Sequence, residues 1–253
     1  MELRVVVTAG GAGIGRAAAE LLAVAGARVS VCDIDPLAVA DVGEIEGIAA
    51  SVADVADTAS IDRFMFESIA SLGGIDVLVN NAGIAGPGGV LEDLDPDEVT
   101  RTLDVDVTSM FRTSRHAIPV MKRQRSGVIV NIASTAGLFG FPYRSPYAAA
   151  KWAVIGLTKT MAMELGEFGI RVNAVCPGSV AGTRMDHVIK LEAAATGRTG
   201  EEIRAGFEQQ VSLQTFVDAV DVAQAIGFLA SPAASKITGQ AIPVDGHTES
   251  MRT

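Results

Sequence analysis

Short apolar runs alternate with helix-patterned segments along almost the whole 253-residue chain. Such continuous runs are typical of strands buried on both faces, and strand–helix alternation at this spacing predicts βαβ units with a parallel sheet. Right-handed crossovers then place helices on both faces. The predicted strands are 3–9, 27–32, 75–82, 127–133, 170–177 and 240–246, with a weaker one near 47–55, and the predicted helices are 14–25, 58–72, 96–123, 146–168 and 218–230.

No linker divides the chain, so the pattern predicts an α/β fold in which residues 1–253 form a single domain with a doubly wound, seven-stranded parallel sheet. The alternation of strands and helices is interrupted at 182–217, where glycines and charged residues mix with a few large apolar ones. An insertion of this length near the carboxyl edge of a sheet is often functional, and we predict a substrate lid. The alternative to a lid is a solvent-exposed helical insertion with no function.

Composition excludes several function classes. The net charge is −10 and no run of Lys and Arg occurs, which argues against nucleic acid and anionic membranes as partners. No apolar stretch is long enough to span a bilayer, and the first residues enter a strand without a signal peptide. Cys32 and Cys176 lie in apolar runs without metal-ligand spacing. We therefore expect a cytoplasmic protein that needs no metal.

A glycine-rich turn joins the first predicted strand to the first helix, in the stretch VVVTAGGAGIGRAAAELL (5–22). Gly11, Gly13 and Gly15 permit tight backbone angles and close approach of a ligand, with Ile14 between them. The following helix offers free N–H groups and a positive dipole end, which suit a pyrophosphate. The turn therefore predicts a Rossmann-type dinucleotide site. The alternative is a tight turn that binds nothing.

Asp33 ends the second predicted strand, eighteen residues after Gly15. An acidic residue at about this distance typically accepts hydrogen bonds from the adenosine ribose, and its charge repels a 2′-phosphate. Since Ile34, not a basic residue, follows it, NAD is favoured over NADP. Asp33 could instead cap the next helix, but Asp35, just before Pro36, is equally placed to do so.

The stretch SPYAAAK places Tyr147 and Lys151 four residues apart, on one face of a predicted helix. A neighbouring ammonium favours the phenolate, which makes a tyrosine a usable general acid and base. Ser134 ends a predicted strand upstream, at the sheet edge where open α/β folds bind ligands. A helix with two solvent-facing polar residues is the simpler alternative.

By these residues the chain resembles the short-chain dehydrogenases/reductases, from about residue 3 to 246. The resemblance rests on motifs whose order and spacing are specific to that family. They are TAGGAGIG (8–15), NNAG (80–83), Ser134, YAAAK (147–151), PG (177–178) and ITGQAIPVDG (237–246).

The resemblance implies roles for these residues. Tyr147 exchanges the hydroxyl proton, Ser134 holds the substrate oxygen, and Lys151 binds the nicotinamide ribose and tunes Tyr147. It also implies a homotetramer, with small residues 148–150 packed closely, in many members against a partner helix. The remaining cofactor residues implied are Asp54 and Val55 beside the adenine, Asn81, Ala82 and Gly83 along the groove, and Pro177, Gly178, Val180 and Thr183 near the carboxamide.

Two positions depart from the family pattern. Ala9 stands where a glycine is usual; its methyl group should be tolerated if the backbone there is ordinary, and we expect a modest effect on cofactor affinity. Asp106 stands where the family has a catalytic asparagine; an ionised carboxylate only accepts hydrogen bonds. Beside Lys151 it would offset the ammonium charge and shift the oxidation optimum to alkaline pH. The alternatives are a tolerated substitution or an impaired enzyme.

Other candidates carry weaker expectations. We expect Trp152 to pack, and His116 and His187 to be core or surface residues; His247 reaches substrate only if the C-terminus enters a neighbouring site. Arg144 and Arg184 are the only basic residues near the expected pocket, which favours a neutral or lightly polar substrate. The apolar residues expected to line the pocket are Phe139, Phe141, Tyr143, Met185, Val188 and Ile189.

The sequence therefore predicts an NAD-dependent dehydrogenase that interconverts a small-molecule secondary alcohol and a ketone. One alternative is an NADPH-dependent 3-oxoacyl-thioester reductase, against which Asp33 argues. Another is a non-catalytic NAD-binding sensor, which has no need of Ser134, Tyr147 and Lys151 together. An epimerase or dehydratase would need a larger substrate domain than 182–217 provides.

Overall fold

The computed structural model describes residues 2–248, apart from the side chains at positions 184, 187, 191, 194 and 195. The expectations for Arg184 and His187 therefore lie outside the described side chains. Within this range, seven parallel strands form one sheet with the order β3-β2-β1-β4-β5-β6-β7. The strands are β1 (Arg4–Thr8), β2 (Arg28–Asp33), β3 (Ile48–Val52), β4 (Val77–Asn80), β5 (Gly127–Ile132), β6 (Ile170–Pro177) and β7 (Ala241–Val244).

Helices cover both faces of the sheet. They are α1 (Gly13–Val24), α2 (Pro36–Gly43), α3 (Thr58–Leu72), α4 (Pro96–Leu103), α5 (Ser109–Gln124), α6 (Ser145–Leu165), α7 (Thr183–Thr196), α8 (Gly200–Gln209) and α9 (Ala219–Ala230). Alternate residues of each strand face opposite sides, as the pleat requires. Val5 and Val7 pack in the core beneath α1 and α9, whereas Val6 packs in the core beneath α3, α5 and α6. The predicted doubly wound α/β domain is confirmed.

The strand order reverses between β1 and β4, which are neighbours in the sheet although β2 and β3 separate them in sequence. The loops after these two strands therefore diverge and leave a crevice at the carboxyl edge, the place where open α/β sheets bind ligands. The glycine-rich turn follows β1 at this point, so the fold places the predicted nucleotide site there.

Two elements differ from the sequence prediction. The helix predicted over 96–123 is interrupted at Asp104–Thr108 by one turn of π-helix. Helix α2 was not predicted, because its eight residues are too short for a clear periodic pattern. The insertion 182–217 forms α7 and α8, which pack on a small apolar core of their own made by Met185, Ile189, Ile203 and Phe216.

Candidate active site

The glycine turn after β1 has three tight positions, at Gly10, Gly11 and Gly15, and one open position, at Gly13. A Cβ on Gly15 would lie 2.2 Å from the Ala9 carbonyl oxygen and 2.5 Å from Asn81 Nδ2, so only glycine fits. Gly13 has a φ of +54° and nothing within 4 Å of the place of a Cβ. The turn therefore leaves open space at Gly13, beside the first N–H groups of α1, as an anion site requires.

The condition of an ordinary backbone at Ala9 is not met. Ala9 has a φ of +50°, in the left-handed region, where an L-residue other than glycine is strained by about 1–2 kcal/mol. The strain persists because Asn81, some 70 positions further on, holds the turn in place. Its Nδ2 donates to the carbonyl oxygens of Thr8 (3.0 Å) and Ala9 (2.9 Å).

Thr8, which the sequence analysis did not single out, completes this connection between β1 and β4. Its Oγ1 accepts the backbone N–H groups of Asn81 (3.0 Å) and Ala82 (3.1 Å), and its side chain is buried. Asn81 and Ala82 thus shape the groove, because their hydrogen bonds connect the end of β4 to the end of β1. Their predicted contact with the cofactor stays a prediction.

Asp33 lies at the end of β2 directly beside the turn. Its Oδ2 accepts the N–H of Gly11 (3.0 Å) and its Oδ1 that of Asp35 (3.1 Å). Asp35 accepts the N–H of Leu37 (2.9 Å) and caps α2, so the capping function falls to Asp35. The geometry therefore leaves Asp33 at the turn, where a ribose hydroxyl is expected.

The two residues predicted to flank the adenine follow β3, on the same edge of the sheet. Asp54 Oδ1 accepts the N–H of Ala56 (2.8 Å), while its own N–H donates to Ser60 Oγ (3.2 Å). Val55 is buried beside them. These bonds fix the loop, and the pairing of β3 with β2 places Asp54 and Val55 next to the strand that ends in Asp33.

Tyr147 and Lys151 share one face of α6, as their spacing predicts. Lys151 Nζ lies 5.4 Å from the centre of the Tyr147 ring and donates to the Ile132 carbonyl (3.3 Å) on β5. Ser134 follows β5 two residues later and accepts the N–H of Ala136 (3.2 Å). The lysine thus joins the helix that carries the tyrosine to the strand that leads to the serine.

Asp106 belongs to the same group, and the π-helical turn places it there. Its Oδ2 lies 3.2 Å from Lys151 Nζ, and the two side chains are 0% and 4% exposed. Its Oδ1 accepts the N–H of Ile84 (2.7 Å). Single π-turns inside helices occur frequently at functional sites. Here the turn lets a carboxylate enter the interior, where Lys151 compensates its charge.

The residues predicted near the carboxamide follow β6. Gly178 donates its N–H to the Val244 carbonyl (3.0 Å), and a Cβ on it would lie 2.8 Å from the Asp245 Cβ. Val180 forms a parallel bridge with Val217, at the other end of the insertion. Pro177 ends β6 and Thr183 begins α7, so these positions connect the sheet edge to the helix pair.

A buried polar chain, missed in the sequence, aligns α5 and α6 on the sheet. Asn80 Oδ1 accepts from Thr113 Oγ1 (2.6 Å), and Asn80 Nδ2 donates to Asn131 Oδ1 (2.9 Å). Asn131 Nδ2 in turn donates to Thr158 Oγ1 (2.9 Å). Single polar residues inside apolar strands were the only signal, and it does not reveal their partners.

The predicted pocket wall is only partly assembled by the structure. The segment that holds Phe139 and Phe141 is tied to the loop after β4, because Tyr143 O accepts from Gly89 N (2.9 Å) and Arg144 Nη2 donates to Ala85 O (3.0 Å). Met185 and Ile189 pack inside the α7–α8 pair, with Val188 against them.

Trp152 is 52% exposed, and its Nε1 donates to the Phe139 carbonyl (3.5 Å). His116 Nε2 lies 2.8 Å from Asp62 Oδ1 on α3, a partner that its sequence neighbours do not provide. His247 is exposed and has a φ of +71°; its Nδ1 lies 2.6 Å from Ser212 Oγ.

Burial raises the pKa of both cysteine thiols, Cys32 and Cys176, to about 12, so both stay protonated at neutral pH.

Across residues 2–248, no helix is long and apolar enough to cross a bilayer. Nor do the described side chains include a group of three or more His, Cys, Asp or Glu residues placed to hold a metal ion.

Comparisons with known proteins agree with this geometry. A family model described as enoyl-(acyl carrier protein) reductase matches residues 8–247. The trans-4-hydroxycyclohexanecarboxylate dehydrogenase of Sinomonas cyclohexanicum is 40% identical over 245 residues, which cover 92% of this chain and 88% of that protein.

Two solved structures superpose over nearly the whole chain. The NAD⁺-bound xylitol dehydrogenase has a TM-score of 0.90 at 30% identity and covers 96% of this chain and 97% of its own. The actinorhodin polyketide ketoreductase variant with NADPH has a TM-score of 0.92 at 30% identity, with coverages of 97% and 96%. The chain belongs to the short-chain dehydrogenase/reductase family and is an oxidoreductase that acts on CH–OH groups.

Proposed function

We propose that the protein is an NAD-dependent dehydrogenase that interconverts a secondary alcohol and a ketone. The observation that carries the proposal is the proximity of Tyr147 and Lys151 on α6, with the lysine bonded to the strand that leads to Ser134. This group lies at the same sheet edge as the glycine turn. A proton-transfer group and a nucleotide-binding turn at one edge are what a hydride-transfer enzyme needs.

The described residues fit a dinucleotide. Gly13 leaves open space at the N-terminus of α1, which suits a pyrophosphate. Asp33 lies beside the turn to accept ribose hydroxyls, and Ile34 supplies no positive charge for a 2′-phosphate. The basic residue after the turn, Arg16, is bonded to the carboxylates of Glu20 and Asp41. These features support NAD, and comparing kcat/KM with NAD and NADP tests that choice.

Each residue of the catalytic group has a separate task in the proposal. The nicotinamide, when bound, accepts or supplies the hydride. Ser134 holds the substrate oxygen, and Tyr147 takes the hydroxyl proton in oxidation and returns it in reduction. Lys151 binds the nicotinamide ribose and stabilises the phenolate by its charge. Asp106 compensates that charge and, through Ile84 N–H, holds the loop after β4.

The substrate is proposed to be a small alcohol or ketone that binds beneath the insertion 182–217. Helices α7 and α8 form a unit because they share an apolar core and an ion pair between Asp186 and Arg204 (3.0 Å). A unit joined to the sheet at its two ends is suited to act as a lid. A screen of secondary alcohols with NAD, followed at the nicotinamide absorbance band, tests this substrate class.

We propose a cytoplasmic homotetramer as the working form. Large apolar side chains are exposed on α5 and α6, with Phe111 at 55%, Trp152 at 52% and Met163 at 86%. Exposed apolar side chains of this size support contact with another copy. Light scattering coupled to size-exclusion chromatography measures the mass, and a monomer at micromolar concentration would contradict the proposal.

A second candidate is an NADPH-dependent 3-oxoacyl-thioester reductase. The similarity to a polyketide ketoreductase with NADPH favours it. It predicts turnover of a 3-oxoacyl thioester with NADPH at a kcat/KM above that of any simple ketone with NADH. The proposed function predicts the reverse order.

A further inference from the structure

The ion pair between Asp106 and Lys151 has a fixed geometry. Asp106 cannot turn away from the lysine without losing the N–H of Ile84, which its other oxygen accepts at 2.7 Å. Lys151 is held in turn by the Ile132 carbonyl, at 3.3 Å. The 3.2 Å separation of the two charges is thus a property of the folded chain.

This pair borders the proposed cofactor groove. A Cβ on Gly83 would lie 3.1 Å from Lys151 Nζ and 3.3 Å from Asp106 Oδ1. Gly83 therefore brings the backbone of the groove wall against both charged groups. Because the pair is buried, solvent screens its field only weakly, and the field reaches the groove.

The net charge at this point matters because the two forms of the cofactor differ in charge at the nicotinamide ring. The oxidised ring carries a positive charge, and the reduced ring is neutral. A lysine next to a neutral amide would disfavour the oxidised ring, whereas a lysine paired with a carboxylate does not. We propose that Asp106 sets the relative affinity for oxidised and reduced cofactor and favours NAD⁺. This inference rests on the proposed NAD-dependent function.

The chain provides a matched control for the test. Asp104 lies on the same π-turn, but its carboxylate is paired with Arg112 Nη2 (2.7 Å), away from Lys151. Asp106→Asn and Asp104→Asn each remove one negative charge. Asn at 106 keeps an acceptor for the N–H of Ile84, so we expect this variant to fold. Asp106→Ser is a second neutral variant, with a smaller side chain.

The experiment measures dissociation constants of NAD⁺, NADH and ADP-ribose by calorimetry at low ionic strength. The ratio of Kd for NAD⁺ to Kd for NADH is expected to rise about tenfold in both Asp106 variants, since each leaves the charge of Lys151 uncompensated beside the groove. Asp104→Asn should leave the ratio unchanged, and ADP-ribose, which lacks the ring, should bind all variants alike.

An unchanged ratio in the Asp106 variants, or an equal shift in Asp104→Asn, would overturn the inference while leaving the proposed function intact. If the wild-type chain binds neither NAD⁺ nor NADH, the proposed function itself fails, and the inference fails with it.

Discussion

Replacing Thr8 by valine tests the connection between β1 and β4 that shapes the glycine turn. Valine has nearly the same shape but no hydroxyl, so the N–H groups of Asn81 and Ala82 lose their acceptor. A buried N–H left without a partner costs about 1–3 kcal/mol, which gives a loss of about 3 kcal/mol for the two. For a chain of this size the melting temperature should fall by about 6–12 °C.

Urea unfolding followed by circular dichroism measures this loss, with an unchanged m-value as evidence that the unfolded state is unaltered. Thr8→Ser is the matched control. It keeps the hydroxyl, loses one methyl group, and should cost only about 1 kcal/mol. If Thr8→Val is no less stable than Thr8→Ser, the hydroxyl does not satisfy these two N–H groups, and our account of the turn is wrong.

Three further predictions concern strain, acid stability and pH dependence. Ala9→Gly removes the strain of a left-handed alanine but increases the entropy of the unfolded chain, so thermal melts should show a gain in stability of up to about 1 kcal/mol. A loss of stability would contradict the strain at Ala9. Burial acts to raise the pKa of Asp76, but hydrogen bonds from Arg4 outweigh it and lower that pKa. The pair therefore stabilises the fold above about pH 4 and loses this effect as pH falls through the lowered pKa, so Asp76→Asn should cost about 1 kcal/mol at pH 7 and less in acid, by urea unfolding at several pH values. Alcohol oxidation should be fastest at alkaline pH because Asp106 offsets the charge of Lys151, and Asp106→Asn should move the optimum towards neutral; an unchanged pH–rate profile would reject this role.

Local sequence was enough to predict most of the fold. The five inner strands are mostly apolar runs that are buried on both faces, as their composition predicts. The glycine turn lies between a strand and a helix that are contiguous in sequence. The spacing of Tyr147 and Lys151 could be predicted for the same reason, since residues four apart meet on any helix. The structure confirms their proximity, at 5.4 Å from Nζ to the ring centre.

Features that depend on residues distant in sequence were either not predicted or predicted incorrectly. The conformation of Ala9 is set by a side chain 72 residues away, so its own neighbours could not reveal it. Thr158 lies 27 residues from Asn131, and nothing in either segment indicates the bond. The proximity of Asp106 to Lys151 came from the family resemblance alone, because a π-turn has no sequence pattern that we could use. Conformations and hydrogen bonds that depend on residues distant in sequence can be read only from the folded structure.

The most direct test of the central claim is the rate of Tyr147→Phe with NAD and a secondary alcohol that the wild-type chain oxidises. General acid–base catalysis by a positioned side chain contributes about 10²–10⁴-fold, so alcohol oxidation should fall by at least about a hundredfold. NADH binding, followed by its fluorescence, should stay within about threefold of wild type, since the variant loses only a hydroxyl. Oxidation at the wild-type rate in the Phe variant would contradict the assignment of Tyr147 as the proton-transfer group.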